Sequence, residues 1–189
     1  MPLRLGVLYN AKMDQFPYAT REYDVSPYDP TWVDRFRVIA QSLENIFASD
    51  ALAIEHIGST SVPGMQAKPT IDVLVVISPA ADLDIHKVEM EERYEYEGWK
   101  VKQDSRLYRE IKDGEILANI HIFPEGHTHI DDMLRLRDYL RTHPADVEEY
   151  SELKKSLRDA YPNDYAEYRK QKDAYMEWKL MKRVGAARI

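Results

Sequence analysis

The chain contains no cysteine, which excludes disulfides, thiolate metal sites and cysteine nucleophiles and fits a reducing compartment. No stretch approaches the roughly 18 apolar residues that a membrane helix needs, and the N-terminus lacks the basic start and apolar run of a secretory signal. The cytoplasm, with no membrane partner, is therefore the expected location. An excess of positive charge is missing as well: 26 Lys/Arg against 33 Asp/Glu give a net charge of -7. That balance argues against generic nucleic-acid binding, because phosphate backbones are gripped chiefly by surplus Lys and Arg.

What is present is an ordinary globular composition, 44% hydrophobic and 31% charged over 189 residues. This suits one domain, or one domain with a helical extension. The charge is uneven. From Ser151 to Ile189 there are ten Lys/Arg against six Asp/Glu, so the tail is net +4 and the remainder net -11. Such a tail can hold a phosphate-bearing small molecule, dock on the acidic body, or simply form a solvated face.

Residues 1–24 show no sustained period beyond one short strand expected at Leu3 to Tyr9, and we read them as an extension of a single domain covering 25–189. Within that domain, a core of about 25–126 precedes helices of about 128–184. Trp32, Phe36, Ile39, Leu43, Ile46 and Phe47 recur at helical spacing after an Asp29-Pro30 start. Leu52 to Ile57 and Thr70 to Ile77 read as strands, the second nearly continuous in apolar residues and therefore covered on both faces. Asp72 interrupts it, and a carboxylate there is costly unless paired, hydrogen-bonded, metal-bound or at the strand's open end.

Ala80 to Glu97 reads as a charged helix. Ser105 to Ile111 and Glu115 to Phe123 read as an antiparallel pair joined at Lys112-Asp113-Gly114. On the second strand Leu117, Asn119, His121 and Phe123 face one way, while Ile116, Ala118, Ile120 and Ile122 face the other. Three helices follow, punctuated by Pro144 and Pro162. The pattern predicts an α+β fold: a mixed sheet flanked by helices, with a C-terminal helical segment.

Chemistry concentrates in Glu55-His56-Ile57-Gly58-Ser59-Thr60-Ser61-Val62-Pro63-Gly64 and in the Lys68-Pro69-Thr70-Ile71-Asp72 that follows. A Gly-Ser turn leaving a strand offers backbone N–H groups and hydroxyls to a phosphate, and a nearby carboxylate can hold a cation bridging phosphates. The bland alternative is a plain turn. His56 and His121 have quiet readings as hydrogen-bonded structural histidines, with Asn119 beside His121, and Asp72 as a partner of Lys68 or Arg137. Glu55 and His56 point to opposite faces, so at most one reaches Asp72. The His127/His129 pair lacks an evident third ligand, and a solvent-facing loop explains it.

The strings EHIGSTSVPGMQAKPTIDVLV, NIHIFPEG, LRLRDYLRTHP and YRKQKDAYMEW together resemble the GrpB family, whose domain also occurs fused to dephospho-CoA kinase; the resemblance covers roughly Val25 to Lys179. It implies a nucleotidyltransferase-like core, in which a Gly-Ser turn precedes a strand with two acids at alternate positions and a third acid lies on a neighbouring strand. Carried over, the turn is Gly58-Ser59 and the first acid is Asp72. The second acid falls on Leu74, and the third strand offers only Asn119 and His121. The carboxylate set is incomplete.

The resemblance thus leaves two functions open. One is a nucleotidyltransferase-like domain binding a nucleotide or other phosphorylated ligand, with phosphate at Gly58, Ser59, Thr60, Ser61, Lys68, Arg137 and Lys172. In that reading Asp72 is the catalytic acid, and Mg²⁺ or Mn²⁺ sits at Asp72, His121 and Glu55. The other is a non-catalytic accessory or protein-interaction module with a vestigial pocket and an unspecified protein partner. Arg141 and Tyr168 join Arg137 and Lys172 as polar helical positions able to close over an anion, or to make surface pairs with Asp138 and Glu167.

Overall fold

The computed structural model describes residues 23–79, 81–98 and 104–186; the strand expected at Leu3 to Tyr9 lies outside them. The first helix, α1 (Thr31–Phe47), begins where Asp29 Oδ1 accepts the Thr31 N–H at 2.8 Å. Its apolar stripe of Trp32, Ile39, Leu43 and Phe47 is buried, as helical spacing requires.

Five strands form one mixed sheet: β1 (Ala51–Ile57), β2 (Ile71–Ile77), β3 (Glu95–Gly98), β4 (Arg106–Lys112) and β5 (Glu115–Pro124), in the order β1-β2-β5-β4-β3. The central β2 and β5 are parallel and the other neighbours antiparallel. The β4–β5 hairpin turns at Asp113 and Gly114, both with positive φ (52° and 81°), the backbone that a tight two-residue hairpin demands. The result is the α+β architecture read from the sequence.

Register assigns each strand-borne site candidate to a face, because Cα partners across a ladder share a side. Ile57 pairs with Asp72, Glu55 with Leu74, Asp72 with Asn119 and Leu74 with His121, so all six lie on one face. The opposite face carries Val73, Val75, Ile77, Ala118, Ile120 and Ile122, packed with α1 in the main core. His56 is on that α1 side, as the Glu55/His56 alternation predicts.

The chain then becomes helical: α3 (Thr128–Thr142), α4 (Pro144–Ala160), α5 (Tyr165–Tyr175), a π-helical turn at Met176–Leu180, and α6 (Met181–Ala186). Ile130 of α3 packs with Ile57, Leu74, Val76 and Phe123. Val62 and Met65, from the loop after β1, are buried against Leu140, Val147, Tyr150 and Leu180. The helical segment therefore clasps the loop that carries the Gly-Ser turn.

One expectation is corrected. The stretch expected as a helix from Ala80 to Glu97 is not one; its described residues hold a single helical turn, α2 (Lys87–Glu91), before the edge strand β3. Asp82 Oδ1 accepts the Asp84 N–H at 2.9 Å, a local side-chain bond that competes with helix. Tyr96 then pairs with Tyr108 across the β3–β4 ladder, where aromatic partners favour strand over helix.

Candidate functional site

The turn and the acid meet. Gly58 leaves β1 with φ 71°, and a β-carbon placed on it would stand 2.4 Å from Asp72 Oδ2. Only glycine satisfies both the backbone and the approach. Of the three hydroxyls in the following turn, two are used internally. Thr60 is buried, its Oγ1 3.0 Å from His56 Nε2, and Ser61 Oγ donates to the Gly58 carbonyl at 2.7 Å. Ser59, half-buried, carries the hydroxyl that faces the C-terminal helices.

Asp72 keeps 31% of its side chain exposed. Asn119 Nδ2 donates to its Oδ1 at 2.8 Å, and His121 Nε2 lies 3.8 Å from the same atom. Burial pushes the Asp72 carboxyl up, but hydrogen bonding and charge from His121, the Asn119 amide and the charge of Lys68 outweigh it, and the net pKa falls below 3.8. Asp72 is therefore ionised at neutral pH. Arg109 Nε donates to Asn119 Oδ1 at 3.3 Å, and Arg109 Nη1 lies 3.0 Å from Glu97 Oε2. This relay across β4 and β5 fixes which end of the Asn119 amide meets Asp72.

Leu74, where a second acid would stand, is fully buried in the apolar cluster under α3. Glu55 is held elsewhere: Arg137 Nη1 donates to Glu55 Oε2 at 2.7 Å and to the His56 carbonyl at 3.2 Å, while its Nε donates to Asp138 at 2.8 Å. Arg137 thus tethers α3 to β1. His56 stacks on Phe36 at 4.7 Å. Burial, partly offset by Asp72, lowers its pKa to about 4, so it is a neutral structural histidine.

His127 and His129 form a helix start rather than an open loop. His127 Nδ1 accepts the His129 N–H at 3.2 Å, capping α3. Among the described residues no group of three or more His, Asp or Glu is arranged to hold a metal ion. Asp72 and His121 supply one carboxylate and one imidazole. That set fits a cation carried in by a phosphate better than a resident Mg²⁺, which demands several hard oxygens.

The basic side is built by the helices. Arg141 Nε and Nη2 donate to the Ser61 carbonyl at 3.1 and 3.0 Å. Lys68 donates to the Tyr165 hydroxyl and lies 4.3 Å from that ring's centroid. Lys172 pairs with Asp173 at 2.8 Å, and Tyr168 is buried with its ring centroid 4.7 Å from that of Tyr23.

The sequence reading missed Lys154 on α4. It is only 2% exposed, donates to Ser59 Oγ at 3.2 Å and to the Gln66 carbonyl, and lies 4.6 Å from the Tyr150 ring centroid. Helical periodicity held the signal: Lys154 falls seven residues after Val147 and four after Tyr150, on their buried stripe.

This arrangement defines a class: an α+β domain in which a Gly-Ser turn lies against one strand carboxylate and is hydrogen-bonded by cations of the C-terminal helices. The chain belongs to the GrpB family, whose description "GrpB protein" matches residues 22–182. It is 34% identical over 159 residues to UPF0157 protein BH1888 of Halalkalibacterium halodurans, covering 84% of this chain and 80% of that one. It is 29% identical over 155 residues to the glutamate-rich protein GrpB of Alkalihalophilus pseudofirmus, covering 79% and 89%. The crystal structure of conserved protein GrpB from Enterococcus faecalis superposes with a TM-score of 0.78 at 36% identity, over 85% of this chain and 96% of that one. No helix among the described residues is long and apolar enough to cross a membrane.

Proposed function

We propose that the protein binds a nucleotide or another phosphorylated small molecule at the Gly58-Ser59 turn. The carrying observation is the contact of Asp72 Oδ2 with Gly58, which sets an ionised carboxylate against a turn that a β-carbon would block. That is the layout the nucleotidyltransferase-like resemblance implies, with Asn119 of β5 in register beside the acid.

In this reading Ser59 meets phosphate oxygens, while Lys68, Lys154 and Lys172 balance their charge. A Mg²⁺ or Mn²⁺ accompanying the ligand would be held by Asp72 with His121 beside it, and would neutralise phosphate charge as a Lewis acid. Arg137 and Glu55 hold α3 and β1 together around the site. With Leu74 buried in the core, one strand acid remains, and the reading commits to binding rather than to two-metal transfer.

Thermal-shift measurements with ATP, GTP, CTP and UTP, each with Mg²⁺ or Mn²⁺, test it. A nucleotide at a hundred times its Kd stabilises the native state by about 2.7 kcal/mol. That gain should vanish in Asp72→Ala and Ser59→Ala. A protein indifferent to every nucleotide and cation would instead be the non-catalytic interaction module.

A further inference from the structure

Lys154 combines three features rarely found together. Its ammonium is almost wholly removed from solvent, its hydrogen-bond partners are the neutral Ser59 hydroxyl and Gln66 carbonyl, and no described carboxylate forms an ion pair with it. Buried lysines are ordinarily paired, because an uncompensated charge in the interior is costly. The groups facing it come from three directions: Ser59 and Gln66 from the turn and its following loop, Tyr150 from α4, and Lys172 from α5, whose charge acts on both Lys154 and Tyr150. Asp173 is on the same helix and is taken by Lys172 and Arg169.

We propose that Lys154 and Lys172 form an anion subsite for a dianionic phosphate group, which enters as the counter-ion that the buried Lys154 lacks. This rests on the phosphate-binding reading above and deepens it. Its cations are lysines and no described carboxylate pairs with Lys154, so the subsite takes its anion without a divalent cation. Lys154 touches Ser59, and the phosphate would therefore bridge the turn and both helices.

Proton linkage follows. In the free protein burial first, and Lys172 second, hold the Lys154 pKa well below the ordinary lysine value. Burial opposes the Lys172 charge too, but the paired Asp173 carboxylate outweighs it and raises its pKa, so Lys172 stays charged. Tyr150 and Tyr168 are raised by burial and stay neutral. A phosphate beside Lys154 restores its proton, so binding takes up a proton above the free-state pKa and weakens as pH rises.

The test is calorimetric titration of the full chain with ATP in EDTA, in two buffers of different ionisation enthalpy, above about pH 8. There the phosphate is fully ionised, since its second pKa is about 6, and uptake belongs to the protein. The expected results are metal-free binding, uptake of up to about one proton per ATP, and an affinity about tenfold or more weaker in Lys154→Met. Because Met is apolar and of similar length, circular dichroism should show that variant folded; if it is not, the wild-type proton count decides alone. Wild type that binds ATP only with Mg²⁺, takes up no proton, or is matched by folded Lys154→Met overturns the subsite and leaves the Asp72 reading standing. Wild type that binds no ATP with or without metal overturns both.

Discussion

Lys154 Nζ lies 3.2 Å from Ser59 Oγ although 95 positions separate the two in sequence. The contact places a helix of the C-terminal segment directly on the Gly-Ser turn. The sheet alone provides an acid and a turn; the helices supply the cations.

The buried ammonium should be visible in the pH dependence of stability. A lysine with a folded pKa below its unfolded value near 10.4 leaves the unfolded state binding more protons between the two. Wild-type stability should therefore gain a rising component with pH in that window, with a slope of up to about 1.4 kcal/mol per pH unit. Urea unfolding at stepped pH should show this component in wild type and lose it in Lys154→Met. Parallel curves for the two proteins would refute the assignment.

Gly58→Ala carries two penalties and Gly64→Ala one. Both glycines have positive φ, but a β-carbon at Gly64 meets nothing within 4 Å while one at Gly58 strikes Asp72. The strain term is about 1–2 kcal/mol for each. Gly58→Ala should be the more destabilising of the two by roughly 1–3 kcal/mol, the usual cost of overpacking. It should also abolish nucleotide stabilisation in the thermal-shift assay. Equal unfolding midpoints for the two variants would show that Asp72 moves aside freely.

The Asp72 carboxyl should titrate below 3.8 when followed by its side-chain ¹³C shift. Because its folded pKa is depressed, its contribution to stability is present above the unfolded value and disappears as pH falls through the folded one. Asn119→Ala removes the amide at Oδ1 and should move the midpoint upward, at a cost of about 1 kcal/mol. An unchanged midpoint in that variant would show that the Asn119 bond does not hold the charge.

Arg137→Met separates framework from site. Its side chain is 10% exposed and bonds Glu55, Asp138 and the His56 carbonyl. Since Glu55 and Asp138 remain partly solvated, the loss should be about 1–3 kcal/mol. Chemical denaturation should register that loss while the nucleotide-induced shift persists; disappearance of the shift in a folded variant would bring Arg137 into the ligand site.

Leu74→Asp will not restore a nucleotidyltransferase acid. The position lies among Ile57, Val76, Phe123 and Ile130, where a carboxylate without partners costs several kcal/mol. We expect poor folding and no added Mg²⁺ or Mn²⁺ dependence in thermal shift. A stable variant with metal-dependent stabilisation would show that this face opens.

The sheet was legible because its strands declare themselves. The apolar run from Ile71 to Ile77 belongs to a central strand, and the alternation in Glu115 to Phe123 separates Asn119 and His121 from the core side. The convergence of Gly58 with Asp72 was readable from the turn's spacing and its family resemblance. What escaped was decided by tertiary partners. Glu95 to Gly98 became a strand because β4 offered it an edge, and Lys154 sits in a Lys-Lys pair whose two members have opposite fates, one buried and one exposed. Nothing in the local sequence distinguishes the two; packing against the loop after β1 chose between them.

The parallel pairing of β2 with β5 has a consequence for how the molecule matures. Parallel neighbours cannot be joined by a tight turn, so Asp72 and Asn119, 47 positions apart, meet only after the intervening chain has folded back. Contacts of such long range form slowly. Assembly of the candidate site should thus be among the last steps for a nascent chain, after the β4–β5 hairpin and α1 have taken shape, and a chain halted before α4 would display its turn without Lys154 against it.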